Sequence, residues 1–236
     1  GFWFGAMHID WDIEQIRSAI RVPVEAIGAG LGWAQDSHDE HRSVTRFGGG
    51  DVGLRRSLAL AVLLHGLPGV PFLYQGQELG LESGRIPADA KLDPVGPDDD
   101  PDSGRDDTRT PIPWEPVEGF GFTTAPTTWL PFGGRTPGDT VAVQRADEGS
   151  PLNEHRRLLA VRSQLREIAN EPVVWIDDVE NVVAFRRGAI VFAAHVGEGD
   201  VALDLVGDVL HRTGPGSGLV LGPDEAMIIR IAEVAA

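Results

Sequence analysis

Apolar positions in the first part of the chain form short continuous runs that alternate with stretches of helical spacing. Runs at residues 2–7, 29–34 and 70–74 predict buried strands. Residues 13–20 have apolar side chains at helical spacing, and residues 54–65 are apolar nearly all round, which predicts two helices between the strands. Polar residues follow the strands, so the pattern predicts a parallel α/β sheet or barrel with a site on the loops after the strands.

The first helix has a start signal and an expected stop. Asp12, with Gln15 three residues later, resembles a helix N-terminus. Pro23 is expected to limit the helix, because proline has no N–H to donate to the preceding turn.

A long, turn-rich segment covers residues 82–150 and includes an acidic, proline-rich loop at 94–102. A loop of this length in a compact domain is usually functional or mobile. An amphipathic helix is predicted at 152–168.

The pattern changes to short apolar runs separated by turns after residue 171. We therefore divide the chain into domains at 1–170 and 171–236, the second being a small antiparallel β-domain of about six strands. The runs are residues 173–176, 182–185, 190–194, 201–205, 219–221 and 227–231.

The formal net charge of −16 argues against nucleic-acid and anionic-membrane partners, whereas a neutral polar partner such as a sugar is compatible with it. The absence of cysteine excludes disulfides, thiolate catalysis and cysteine-based zinc sites. Apolar runs are shorter than the roughly 18 residues of a membrane span. With no visible signal peptide, we expect a cytoplasmic location, although the chain does not begin with Met.

His38 and Asp39 are the first candidate site residues. A His–Asp pair is common, but this one follows a predicted parallel strand and has Arg42 and Arg46 close behind it. A carboxylate at the carboxyl end of such a strand, flanked by arginines, is placed to meet a ligand.

Three sequence segments follow one another along the chain: residues 36–39 (DSHD), 67–78 (LPGVPFLYQGQE) and 104–114 (GRDDTRTPIPW). Together they resemble the second half of the catalytic barrel of glycoside hydrolase family 13, the α-amylase family, in its α-glucosidase and oligo-1,6-glucosidase branch. The resemblance implies an α/β fold made of the sixth to eighth strands of a (β/α)8 TIM barrel, followed by a small antiparallel β-sandwich domain.

The resemblance also implies roles for three residues. Asp39 would stabilise the oxocarbenium-like transition state, and His38 would bind the same glucose ring. Arg105 would pair with an aspartate of the first barrel loop and close the glucose-binding end, which gives exo action. The chain departs from the family's Asn-His-Asp motif at Ser37.

Supporting roles are expected for further residues of these segments. An alternative reading is that Arg105 and Arg109 only pin an acidic loop through Asp106 and Asp107, and Arg109 is assigned mainly to that structural role. The supporting residues are Arg46, Tyr74, Gln75, Glu78, Asp106 and Arg109.

A retaining glycosidase needs two carboxyl groups roughly 5 to 5.5 Å apart. In this family they end the fourth and fifth barrel strands, and the resemblance starts at the sixth. We therefore expect an N-terminal half of the barrel, missing here, to supply these two groups. Without it, this chain is expected to be inactive and poorly soluble. Hydrolysis is expected to need no metal or cofactor. Calcium, where relatives bind it, would lie in the absent half.

The sequence thus predicts part of a retaining, exo-acting α-glucosidase that acts on small α-glucosides or oligosaccharides. A related transglycosylase or isomerase of the trehalose synthase or sucrose isomerase type stays open. So does a non-catalytic carbohydrate-binding or subunit protein of the same fold.

Overall fold

The computed structural model of the chain describes residues 1–94 and 104–232. The predicted acidic loop at 94–102 lies outside the described residues except for Pro94. The remainder of the predicted long segment, within 82–150, consists of turns, short 3₁₀ helices and one short α-helix.

Three parallel strands form the first sheet, in the order β1 (Phe2–Trp3), β2 (Gly32–Ala34) and β3 (Val70–Phe72). Helix α1 (Ile13–Ile27) connects the first two strands, and α3 (Gly50–Gly66) precedes the third. This alternation confirms the expected parallel α/β arrangement. The other α-helices are α2 (Ser43–Arg46), α4 (Val141–Ala146) and α5 (Pro151–Gln164).

Helix α1 begins as predicted and ends later than predicted. The side chain of Asp12 accepts bonds from the backbone N–H groups of Glu14 and Gln15 at 3.1 and 2.9 Å. The helix continues through Pro23, so the expected stop there is wrong. The physical reason is that the Trp3 indole N–H donates to the Ala19 carbonyl at 2.8 Å, which satisfies the acceptor that Pro23 leaves open.

Helix α3 is buried on nearly all sides because it lies between two sheets. Ala59, Leu60 and Leu63 belong to one apolar core with Trp33 of the parallel sheet and Phe192 of the second domain. The near-continuous apolar sequence of this helix is therefore a consequence of its central place in the fold.

The second domain has a five-stranded antiparallel sheet in the order β4-β5-β6-β10-β8 and a two-stranded ribbon, β7-β9. The antiparallel β-domain is as expected, but β8 was not predicted, because this edge strand has apolar side chains only at Val209 and Leu210. The strands are β4 (Val174–Ile176), β5 (Val182–Arg187), β6 (Ile190–His195), β7 (Val201–Ala202), β8 (Gly207–Arg212), β9 (Val220–Leu221) and β10 (Ala226–Ile231).

Both faces of the five-stranded sheet are covered. Alternate residues such as Phe185 and Phe192 join the core around α3, whereas Val182 and Met227 pack with Leu221 of the ribbon. Covering on both sides explains why β5, β6 and β10 are apolar at successive positions.

The two domains meet closely at the end of α3. A Cβ added to Gly66 would lie 2.5 Å from the Phe192 ring, so only glycine fits there. Arg187, which is 5% exposed, donates to the carbonyls of Gly66 and Ile168 at 2.9 and 2.7 Å. The predicted boundary between 170 and 171 falls in the turn before β4 and stays a prediction.

The burial expected for the strands at 2–7 and 70–74 is wrong for several residues, because the parallel sheet presents apolar side chains of β1 and β3 to solvent. Phe2 and Phe72, from β1 and β3, are 56% and 45% exposed, and their ring centroids are 4.6 Å apart.

In the part of the chain that the structure describes, no helix is both long enough and apolar enough to cross a membrane.

Candidate functional site

The turn after β2 is anchored by two buried polar residues. Gln35 donates to Ser43 Oγ at 2.9 Å, and Asp36 Oδ1 accepts from the Ser43 backbone N–H at 2.7 Å. Burial raises the pKa of Asp36, and the nearby Arg46 only partly opposes this. Gln35 and Asp36 are thus fixed in the interior of the protein, whereas His38 and Asp39, which follow them, lie exposed at the carboxyl end of the strand.

Asp39 lies at the centre of a cluster of cationic and polar side chains. Its Oδ1 accepts from Arg105 Nη1 at 3.1 Å and from Arg109 Nη2 at 3.2 Å. The Nε2 of His38 is 3.2 Å from Oδ2. The structure therefore brings together the three residues assigned to catalysis and sugar binding, Asp39, His38 and Arg105.

Arg105 is held mainly by a residue that the sequence did not single out. Its Nε and Nη2 donate to Oδ2 and Oδ1 of Asp93 at 2.8 and 2.9 Å, a two-point contact between guanidinium and carboxylate. The pKa of Arg105 is raised above its usual value, mainly by the hydrogen bonds to Asp93. The hydrogen bond to Asp39 contributes less to this increase. A single acidic residue in a loop gives no signal in the sequence, which is why Asp93 was missed.

Arg109 contacts the predicted site residues directly. Its Nε donates to the His38 carbonyl at 3.0 Å, in addition to the contact with Asp39. The expected pairing of Arg109 with Asp106 or Asp107 is therefore wrong, because the arginine faces the turn after β2. A role for Arg109 in supporting the site is consistent with its bond to the His38 carbonyl.

Asp106 and Asp107 have partners of their own. The Oδ2 of Asp106 accepts from the backbone N–H groups of Leu92 and Asp93 at 2.6 and 2.9 Å. Asp107 Oδ2 pairs with His41. Burial alone would raise the pKa of Asp107, but bonds from His41 and Ser83 outweigh burial and lower it.

The carbonyl of Thr108 ties the 104–114 segment to the end of β3. It accepts from the Tyr74 hydroxyl and from Arg42 Nη2, both at 3.0 Å. Arg42 also donates to the Gln75 carbonyl at 2.9 Å and lies over the Tyr74 ring. Arg42 is fully buried and its pKa is lowered by that burial, so it joins these segments from inside.

The other predicted supporting residues stabilise backbone turns. Arg46 donates to the carbonyls of Ile9, Gln35 and His41 at 3.1, 2.9 and 2.9 Å. Glu78 Oε2 accepts from the Gly76 N–H at 2.7 Å, within the turn after β3. The Gln75 side chain is exposed, and its contribution here is the carbonyl that Arg42 contacts.

The cluster combines carboxylate acceptors with guanidinium donors on an exposed strand end. Such a surface matches the hydroxyl groups of a neutral sugar, which both donate and accept hydrogen bonds. Within residues 1–94 and 104–232, no group of three or more His, Asp or Glu side chains is arranged to hold a metal ion.

Comparison with known proteins identifies the family. The model of the α-amylase catalytic domain matches residues 9–171. A probable α-glucosidase of Rhizobium meliloti is 36% identical over 158 residues, which cover 66% of this chain and 28% of that protein. The oligo-1,6-glucosidase of Parageobacillus thermoglucosidasius is 30% identical over 160 residues, covering 57% of this chain and 28% of that protein.

Solved structures agree with this relationship. An α-glucosyl transfer enzyme is 27% identical, with a TM-score of 0.78 over 97% of this chain and 45% of that chain. The trehalose-6-phosphate hydrolase of Bacillus licheniformis, at 20% identity, shows the same fold, with a TM-score of 0.80 over 98% of this chain and 51% of that chain. The chain thus spans about half the length of these two structures or less.

The parallel strands with helices, the antiparallel domain and the family match define the class: the chain belongs to the α-amylase family, glycoside hydrolase family 13. Within that family it falls in the α-glucosidase and oligo-1,6-glucosidase branch.

Proposed function

We propose that the protein to which this chain belongs is a retaining, exo-acting α-glucosidase, and that this chain supplies the end of its active site that holds the terminal glucose. The observation that carries the proposal is the contact of Asp39 with Arg105, Arg109 and His38 at the carboxyl end of β2. Membership of the α-glucosidase branch supports the reaction class.

Asp39 has the chemistry of a transition-state stabiliser. Its carboxylate lies on an exposed loop, fixed by two guanidinium groups, and can accept hydrogen bonds from sugar hydroxyls. As positive charge develops on the sugar ring, a fixed negative charge nearby stabilises it. His38 and Arg105 add donors on either side of Asp39.

Bond cleavage itself needs a nucleophile and an acid/base, which the resemblance assigns to other barrel strands. We therefore propose that the missing N-terminal half of the barrel supplies both carboxyl groups, and that this chain alone is inactive. Maltose-, isomaltose- and sucrose-like sugars are the proposed substrates, since the two curated relatives above are named as glucosidases.

Proton NMR of p-nitrophenyl α-glucoside hydrolysis by the full-length protein tests the reaction class, because the only glucose released there comes from the cleaved bond. We expect α-glucose as the first product, which then mutarotates to the equilibrium mixture. First release of β-glucose, or no release of glucose from any α-glucoside, would rule out a retaining α-glucosidase.

A second candidate is transfer of the glucosyl group to another sugar. The specific observation in its favour is the 27% identity to an α-glucosyl transfer enzyme. At high maltose concentration each transfer forms one trisaccharide and releases one glucose, whereas each hydrolysis releases two glucose molecules and forms no trisaccharide. An isomerase converts maltose into another disaccharide with no net release of glucose. A carbohydrate-binding protein of the same fold would bind maltose and leave it intact.

A further inference from the structure

Asp93 is buried beside the proposed sugar-binding cluster. Its side chain is 2% exposed, although it lies in the long segment after β3. Its carboxylate accepts from Arg105 Nε and Nη2 at 2.8 and 2.9 Å and from the Arg105 backbone N–H at 2.8 Å. Both the backbone and the guanidinium of Arg105 are thus fixed by one carboxylate.

Asp93 is itself held in place by Asp106. One oxygen of Asp106, a residue that is 4% exposed, accepts from the backbone N–H groups of Leu92 and Asp93. Backbone bonds to a buried carboxylate leave Asp93 little freedom to turn. A connected series of contacts therefore runs from Asp106 through Asp93 and Arg105 to Asp39.

The two-point contact determines which part of Arg105 faces the site. With Nε and Nη2 bound to Asp93, the guanidinium plane is fixed and Nη1 lies against Asp39 Oδ1 at 3.1 Å. A planar guanidinium held at one edge presents its remaining N–H groups in a defined direction, which a flexible side chain does not do. A donor oriented before the ligand arrives loses less entropy on binding.

We propose that Asp93 is a positioning residue: it holds Arg105 so that Nη1 faces Asp39, and thereby sets the affinity of the site for the terminal glucose of an α-glucoside. This inference rests on the proposed function. Asp93 acts through Arg105, and its effect therefore depends on that arginine being present.

The test is the Asp93→Asn variant of the full-length protein, assayed with p-nitrophenyl α-glucoside. Asparagine keeps the size of the side chain but loses the charge and one acceptor, so Arg105 is no longer fixed. We expect KM to rise about tenfold and kcat to change less than about threefold. The matched control is Asp89→Asn, which removes the same charge from an exposed position in the same segment and should leave both constants unchanged.

A double-mutant cycle separates positioning from general structural support. In an Arg105→Gln background there is no guanidinium to position, so adding Asp93→Asn should change KM less than about twofold. Melting temperatures of all four proteins are measured alongside.

Two outcomes would overturn the inference. One is an unchanged KM in the Asp93→Asn variant, whether or not kcat and the melting temperature fall. The other is the same fold-increase in KM in both backgrounds. Absence of turnover by the unaltered protein on every α-glucoside is a different result. It would overturn the proposed function, and the inference would fall with it.

Discussion

Nη1 of Arg105 lies 3.1 Å from Oδ1 of Asp39, although 66 positions separate the two residues in the chain. Asp39 follows a strand of the parallel sheet, and Arg105 lies in the long segment that the sheet does not include. The contact therefore joins the two parts of the chain that the family resemblance assigned to one glucose.

Replacing Asp39 by asparagine tests its assigned role. Asp39→Asn removes the negative charge and keeps the shape, so in the full-length protein kcat should fall about 10²- to 10³-fold. The melting temperature should change little, because the Asp39 side chain is 46% exposed and exposed ion pairs contribute little to stability. Glu40→Gln, at the next position, is the control and should keep near-normal kcat. Near-normal turnover of Asp39→Asn would remove Asp39 from the mechanism.

The contact between Trp3 and Ala19 predicts a coupling with Pro23. Trp3→Phe removes the indole N–H that bonds the Ala19 carbonyl, and should lower the free energy of unfolding by about 1 kcal/mol beyond any packing loss. In a Pro23→Ala background the new backbone N–H at position 23 can bond the same carbonyl, so Trp3→Phe should cost less there. Urea unfolding of the four proteins measures the difference, and equal costs in both backgrounds would contradict the account.

Gly66 should be intolerant of any side chain. Gly66→Ala places a methyl group 2.5 Å from the Phe192 ring, which has to move within a packed core. We expect a loss of about 1–3 kcal/mol in the free energy of unfolding. Gly30→Ala is the matched control, because its Cβ meets only an ordinary contact at 3.6 Å from Ile27. A loss no larger than that of the control would show that the two domains do not pack as described.

His65 should make the protein sensitive to acid. Its Nδ1 donates to the Ala61 carbonyl at 2.8 Å, and burial lowers its pKa to about 4. Between pH about 6.5 and about 4 the unfolded chain binds a proton at His65 that the folded protein does not. Stability is therefore lost as the pH falls through this window, by roughly 3 kcal/mol in total, and this contribution levels off below it.

The His65→Asn variant measures that contribution, because an amide can still donate to Ala61 and does not titrate. Urea unfolding of both proteins at pH 7 and pH 4 gives the comparison. The variant should lose less stability than the unaltered protein over this range. An identical loss in both would show that His65 is not the group responsible.

Much of the fold followed from apolar patterning. The three parallel strands, the buried α3 and most strands of the second domain were predictable, because each lies in an apolar run of the sequence. The burial expected for the first and third parallel strands was wrong, since Phe2, Val70 and Phe72 are exposed. Strand β8 was missed because its sequence has apolar side chains only at Val209 and Leu210 and therefore lacks such a run. The end of α1 was misplaced because a distant residue, Trp3, compensates for Pro23, and local rules do not include such contacts.

The site was predictable in its motifs and less so in its contacts. His38, Asp39 and Arg105 stood in recognisable segments, and the structure places them together. The contacts of Asp93 and of the buried Arg42 join residues that are far apart in the sequence. The residues next to them in the sequence give no indication of these contacts. The roles assigned to all these residues stay predictions until activity is measured.

Maltotriose labelled at its reducing end tests the central claim most directly. If the full-length protein removes terminal glucose from the non-reducing end, unlabelled glucose and labelled maltose will be the first products. Early appearance of labelled glucose, or an intact substrate, would contradict the account of this chain as the glucose-holding part of an exo-acting α-glucosidase.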